Sequence, residues 1–202
     1  MQYDLTDNIT SIDVNGAAIF GVFTDKNIKI LAKYLKTTDI AKIKEIIKKS
    51  SFEGKINQSL CIYDTSNKKL EKIYLVGLGE KNKYSERSFI KAVSALSKIC
   101  KNNNLKNIFL SIDSLLTDKI KQDWAIRNIS IHINGIDYVY NETKNKTKIK
   151  INYKISKIIF ISSLLKKSYL SSLKKYFQQG VAISSGIKLA KKLGDLPSNI
   201  CT

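Results

Sequence analysis

Side chains able to do chemistry are few in this chain and thinly spread. It carries one histidine, His132, and three cysteines, Cys61, Cys100 and Cys201. With a single histidine, no Ser/His/Asp or Cys/His arrangement can be argued. The helical neighbours of His132 one turn away are Asn128 and Ile136. No acid is therefore placed to orient the ring, and the residue reads as a helix flank rather than a base or ligand. Asp113 and Asp118 bracket a turn and read as caps, and without an acidic cluster around them paired-carboxylate catalysis has no support. The cysteines form no CxxC pair and have no histidine near them in sequence, so reduced thiols of a cytoplasmic protein fit better than a zinc site or a disulfide framework. Gly77-x-Gly79 follows an apolar run, where backbone amides could cradle a phosphate. No GxGxxG follows, however, and the next helix opens only near Ser85, so a tight turn is the simpler reading.

The charge is the one strong compositional signal. Lys+Arg number 35 against 17 Asp+Glu, a formal net charge of +18. Such a balance points toward nucleic acid or an anionic surface. Its chemistry argues otherwise, because all the basic residues but Arg87 and Arg127 are lysine, and arginine is the residue preferred for bidentate phosphate and base contacts. The chain is also heavy in Ile and Asn, whose codons, like those of Lys, are AT-rich, so genome bias plus a solvated surface accounts for the charge. DNA binding remains the alternative from another class, with ADP-ribose or nucleotide binding at the Gly77–Gly79 turn beside it.

The elements that would position these residues alternate. Ala17 to Phe23 is an apolar run suited to a buried strand, and Asp25 is placed to cap a helix with Ile28, Leu31 and Leu35 on one face. Thr38 or Asp39 caps a basic helix carrying Ile40, Ile43 and Ile47; a turn at Phe52-Glu53-Gly54-Lys55 leads to a strand over 58–63. Lys72 to Leu78 reads as a central strand buried on both sides. A helix from Ser85 with Phe89, Val93, Leu96 and Cys100 aligned, a strand over 107–112 and a helix from Thr117 or Asp118 through Tyr140 follow. Residues 141–152 read as a lysine- and asparagine-rich exposed loop, 157–161 as the last core strand, and 169–193 as a closing helix with Ile183, Ile187, Ala190 and Leu193 on one apolar face. This alternation predicts an α/β sandwich with a mostly parallel sheet covered on both faces. Hydrophobic residues at 43% of 202 support a real core. The N-terminus shows no signal-peptide pattern and no apolar run is long enough to span a membrane, so a soluble cytoplasmic protein is expected.

Leu193-Gly194-Asp195-Leu196-Pro197-Ser198-Asn199-Ile200-Cys201-Thr202 resembles the inter-domain junction of cytosol (leucyl) aminopeptidases. Phe52-Glu53-Gly54-Lys55 with Gln58 resembles that family's Phe-x-Gly-Lys turn and following Gln, and Val76-Gly77-Leu78-Gly79 its Val-Gly-Leu-Gly strand and turn. Tyr138 to Lys148 is similar to its Tyr-x-Phe-x-x-Tyr-Lys region only in part. The order and spacing of these segments carry the resemblance over nearly the whole chain. It implies a macrodomain-like three-layer N-terminal domain over residues 1–193, with 194–202 beginning the junction to a catalytic domain outside this chain. It further implies a full-length two-metal exopeptidase, with zinc or manganese activating water beside the scissile carbonyl, assembled as a hexamer and releasing N-terminal residues from peptides. No Asn-Thr-Asp-Ala-Glu-Gly-Arg-like segment occurs here. No catalytic, cofactor-binding or metal-binding residue is therefore assigned in this stretch, which is expected to be inactive by itself.

Overall fold

The two continuous apolar runs become the centre of the sheet. β2 (Gly16–Phe23) and β4 (Leu70–Gly79) pair in parallel, and nearly every residue of β2 is buried. The computed structural model describes residues 2–9, 13–63, 65–143, 153–163 and 169–197. Around the central pair lie β1 (Gln2–Thr6), β3 (Ser59–Ile62), β5 (Asn107–Ser111) and β6 (Lys157–Ile161), in the order β1-β6-β5-β2-β4-β3. Every neighbouring pair is parallel except β3–β4, which is antiparallel at the edge. The helices are α1 (Thr37–Lys49), α2 (Glu86–Asn102), α3 (Gln122–Gly135) and α4 (Leu170–Asp195). Both sequence expectations, a mostly parallel mixed sheet and helices on both of its faces, hold.

Strand alternation divides the core in two. Ala17 and Ile19 of β2, with Ile108 and Leu110 of β5 and Phe160 of β6, face α2, α3 and α4, where Phe89, Leu96, Ile126, Ile129 and Phe177 meet them. Ala18, Phe20 and Val22, with Phe109 and Ile159, face the other layer, closed by Leu31, Ile40, Ile43 and Ile47. Both layers are built from side chains withdrawn from water, at about 25 cal/mol for each Å² of apolar surface.

Local polar groups explain where the helices depart from the periodicity. Over 28–35 only a short 3-10 turn forms, Lys29–Lys33. Ahead of it the Asp25 carboxylate takes the Asn27 amide (2.9 Å) and the Asn27 side chain takes the Lys29 amide (3.0 Å), competing with helical bonding. Asp39 sits in the first turn of α1 rather than at its cap, and its carboxylate binds the Ser66 amide (2.8 Å) and hydroxyl (2.7 Å). Ser85 does cap α2, accepting from the Ser88 amide. α3 begins at Gln122, not near Asp118: Leu115 and Ile120 are drawn into the core, and the buried Tyr84 hydroxyl holds the Leu115 carbonyl at 3.1 Å. The opening segment, polar by composition, supplies the edge strand β1, which packs Tyr3 and Leu5 against the core. Of the expected loop over 141–152, residues 144–152 lie outside the described residues.

Asp113, two residues after β5, ties the carboxyl edge of the sheet together. Its carboxylate accepts from the Tyr34 and Ser162 hydroxyls and from the amide and hydroxyl of Ser163, the last two at 2.9 Å. The knot joins the end of the 3-10 turn to the ends of β5 and β6. Burial, then the hydrogen bond to Asp113, pushes the Tyr34 phenol well above its ordinary range, so it stays a donor.

Replacing Asp113 by Ala is expected to lower unfolding free energy by about 2–3 kcal/mol, the scale of lost hydrogen bonds to a charged group, read from the denaturant midpoint. Gly186 lies inside α4, and a Cβ added there would meet nothing within 4 Å. Gly186→Ala is therefore expected to raise stability by about 0.5–1 kcal/mol in the same measurement.

Candidate functional site

In open parallel sheets, ligands tend to sit outside the carboxyl ends of the strands, where successive crossovers leave in opposite directions. Here that point lies between β2 and β5, since the chain passes from β2 to β4 on one side and returns past β2 to β5 on the other. A crevice of about 220 Å³ occupies it, lined by Gly21, Phe23, Lys29, Lys81, Asp113 and Ser114 among others. Its inner groups are occupied. The Gly21 amide donates to Ser114 Oγ (2.9 Å), that hydroxyl donates to the Ser111 carbonyl (2.9 Å), and Asp113 carries the knot described above. The mouth offers Asp25, Lys29 and Lys81, charges of both signs with no nucleophile held against a base.

The Gly77–Gly79 turn is not a phosphate cradle. The Gly77 amide donates to the Gln58 carbonyl (2.9 Å) and the Gly79 amide to the Gly54 carbonyl (2.8 Å). The space above them is filled by the Phe52–Lys55 turn, so a Cβ on Gly77 would stand 2.0 Å from the Lys55 carbonyl oxygen. Gly79 adopts φ +82°, a conformation that favours glycine. The Gln58 side-chain oxygen completes the arrangement by accepting from the Glu53 (2.9 Å) and Lys55 (3.1 Å) amides. Two motifs that stand 20 residues apart in sequence are thus one packing device, which explains their shared spacing without a ligand.

The remaining chemical residues stay scattered. His132 is half-buried on α3, and burial, then the nearby Lys191, lowers its pKa, so the ring is neutral. Asp113 belongs to the knot, whereas Asp118 is exposed and caps no helix. Burial pushes the Cys100 thiol up to about 12, leaving it inert. Among the described residues, no three His, Cys, Asp or Glu side chains come together as a metal site would require, so the donor set does not fit a metal ion. Tyr34, Ser162 and Ser163, which share Asp113 with it, went unnoticed in the sequence. The available signal was that Asp113 and Ser162-Ser163 each follow a parallel strand, and neighbouring strands bring such residues side by side.

Among the described residues, one face of α4 is left uncovered. Its first half packs closely on α3: Ser130 Oγ donates to the Phe177 carbonyl (2.8 Å), and a Cβ on Gly180 would come within 2.5 Å of the Arg127 carbonyl. Its second half is anchored from one side, by the Tyr138 hydroxyl on Asp195 (2.6 Å), Lys192 on Glu142 (2.6 Å) and Lys188 on Asp137. The aliphatic face read from the sequence is real but uncovered by the described residues. On that face Ile183, Ile187 and Leu193 are 44, 40 and 49% exposed, and Leu189, outside the stripe read from the sequence, is 59% exposed. Among the described residues no helix is long and apolar enough to cross a membrane.

Comparison with known proteins places these features in a family. Residues 19–147 match the N-terminal domain of the cytosol aminopeptidase family. Probable cytosol aminopeptidases of Blochmanniella floridana and Buchnera aphidicola subsp. Schizaphis graminum are each 30% identical over the whole chain, which spans 40% and 39% of their lengths. Among solved structures, a mutant of tomato leucine aminopeptidase superposes over 99% of this chain and 39% of its own, with a TM-score of 0.73 at 16% identity. The bottromycin maturation enzyme BotP in complex with Mn covers 94% of this chain and 34% of its own, with a TM-score of 0.64 at 13% identity. These superpositions establish the fold, and none of the matches lends support to the DNA-binding alternative. The chain spans about two-fifths of the length of these relatives, and it belongs to the cytosol aminopeptidase family as that family's N-terminal domain.

Proposed function

We propose that this chain is the non-catalytic N-terminal part of a metal-dependent aminopeptidase, and that α4 is the element through which it docks on the catalytic remainder. The observation that supports this is the aliphatic face of α4, where Ile183, Ile187 and Leu193 are each at least 40% exposed, in a chain spanning 40% of a relative's length. Exposed apolar surface of this kind marks a contact made elsewhere. On this reading the folded domain reaches about residue 193, and residues 194–202 begin the junction, α4 giving way to extended backbone at Leu196. The full-length enzyme would be a cytoplasmic metallopeptidase, a hydrolase that releases N-terminal amino acids from peptides and assembles as a hexamer. It would draw its two divalent ions, zinc or manganese, from ligands outside this chain. The role of the present residues is then to support assembly, to shape access to that site or to contact partners.

Incubated with a chromogenic leucine amide and manganese or zinc, the folded 202-residue chain is expected to show no turnover; metal-dependent turnover that survives further purification would overturn the division of labour. Ile183→Ser and Leu193→Ser are each expected to change the stability of this chain by less than about 0.5 kcal/mol, as exposed substitutions do. In a longer protein containing the catalytic part, the same pair is expected to lower the thermal midpoint, and an unchanged midpoint there would remove α4 as the docking element.

A further inference from the structure

The C-terminal half of α3 forms the floor of a trough whose walls are α2 and α4, enclosing a cavity of about 440 Å³. Ile131, Ile136 and Ile187 make part of it aliphatic. Lys98 and Lys101 enter from α2 and Lys191 from α4, and no carboxylate lines the space. The acids that approach this end of α4 are committed elsewhere, Asp137 to Lys188, Glu142 to Lys192 and Asp195 to the Tyr138 hydroxyl. Lys98 and Lys101 form no ion pair among the described residues, and Lys191 lies over the Tyr138 ring, 5.8 Å from its centre. Three lysines therefore line one partly apolar cavity, with no carboxylate among the described residues that line it.

A second, independent observation points into the same space. Ser184 is 1% exposed and its hydroxyl has no hydrogen-bond partner. A helical serine can return its proton to the carbonyl four residues back, as Ser185 does to Val181 at 2.9 Å, but Ser184 does not. A buried hydroxyl left unpaired calls for an explanation. Opposite it stands Gly135, where an added Cβ would meet only Ser184 Oγ, at 3.8 Å. The missing side chain keeps room open beside that hydroxyl. His132 lines the same cavity with a neutral ring, which offers one donor and one acceptor.

We propose that this cavity binds a small organic anion, a carboxylate or phosphate monoester head on a compact apolar body. The head takes the three lysines and the Ser184 hydroxyl, and the body lies against the isoleucines. Lysine binds either head as a point charge. A free amino acid or peptide N-terminus is a poor fit, because its ammonium would find no carboxylate among the lining residues. The proposal does not rest on the aminopeptidase reading, although Ile187 belongs both to the trough and to the exposed face of α4.

The test is an amide NMR titration of this chain with phenyl phosphate, benzoate, inorganic phosphate and benzylamine. Saturable shifts are expected at His132, Gly135 and Ser184 with at least one aryl anion in the millimolar range or tighter. Whichever aryl anion binds more tightly assigns the head group. Inorganic phosphate, lacking the apolar body, is expected to bind about tenfold more weakly, and benzylamine not to compete. Gly135→Leu fills the space beside Ser184 and is expected to abolish the shifts. Should that variant fail to show a native circular dichroism spectrum, Lys98→Ala/Lys101→Ala, at exposed positions, is expected to weaken binding about tenfold instead. Shifts spread over all the lysine-bearing faces, binding undiminished in a folded variant, or no saturation by either aryl anion would overturn the proposal.

Discussion

The carboxylate of Asp113 is the point on which the arrangement of layers depends. A parallel sheet holds its strands by backbone bonds, but nothing in those bonds fixes the loops at its carboxyl edge. Asp113 does so by accepting four donors at once, from Tyr34 on one layer and from Ser162 and Ser163 at the end of β6. The β5 and β6 ends and the 3-10 turn thereby share one anchor. The same bonds occupy the group that would otherwise be the best-placed base in the switch-point crevice. Where many parallel-sheet proteins keep an open ligand site, this domain has spent its polar groups on holding itself together.

The second edge of the sheet follows the same logic with backbone instead of side chains. Gly77 and Gly79 let the Phe52–Lys55 turn lie directly on β4, and the amides that could have met a phosphate meet carbonyls of that turn. Among the described residues, the large aliphatic side chains left exposed lie on α4. There they face solvent, while ion pairs hold the other flank of α4 to the segment that follows α3. An anchored helix with an uncovered apolar face is what a domain prepared for a neighbour looks like, and it agrees with a chain that covers two-fifths of its relatives.

The fold was legible because its strongest signals were local. The apolar runs of β2, β4 and β6 read as buried strands, and Phe89, Val93, Leu96 and Cys100 read as one helical face because that face is in fact buried. Errors arose where side chains compete with the backbone. Asp25 and Asn27 shorten the expected helix after β2, and the core's need for Leu115 and Ile120 delays α3. β1 was hidden by composition, its polar residues outnumbering Tyr3 and Leu5. The site was less legible still. Asp113 and Ser162 lie 49 residues apart, and only the adjacency of β5 and β6 brings them together. The apolar stripe of α4 was visible, but periodicity reports a face and not what covers it.

The central claim is that α4 is a docking helix whose face is completed outside this chain. Hydrogen exchange at the amides of 183–195, compared between the 202-residue chain and a longer protein that contains it, tests this most directly. The account predicts slower exchange in the longer protein by at least about tenfold, some 1.4 kcal/mol of added local stability, with α1 unchanged. Equal exchange along α4 in the two proteins would contradict it.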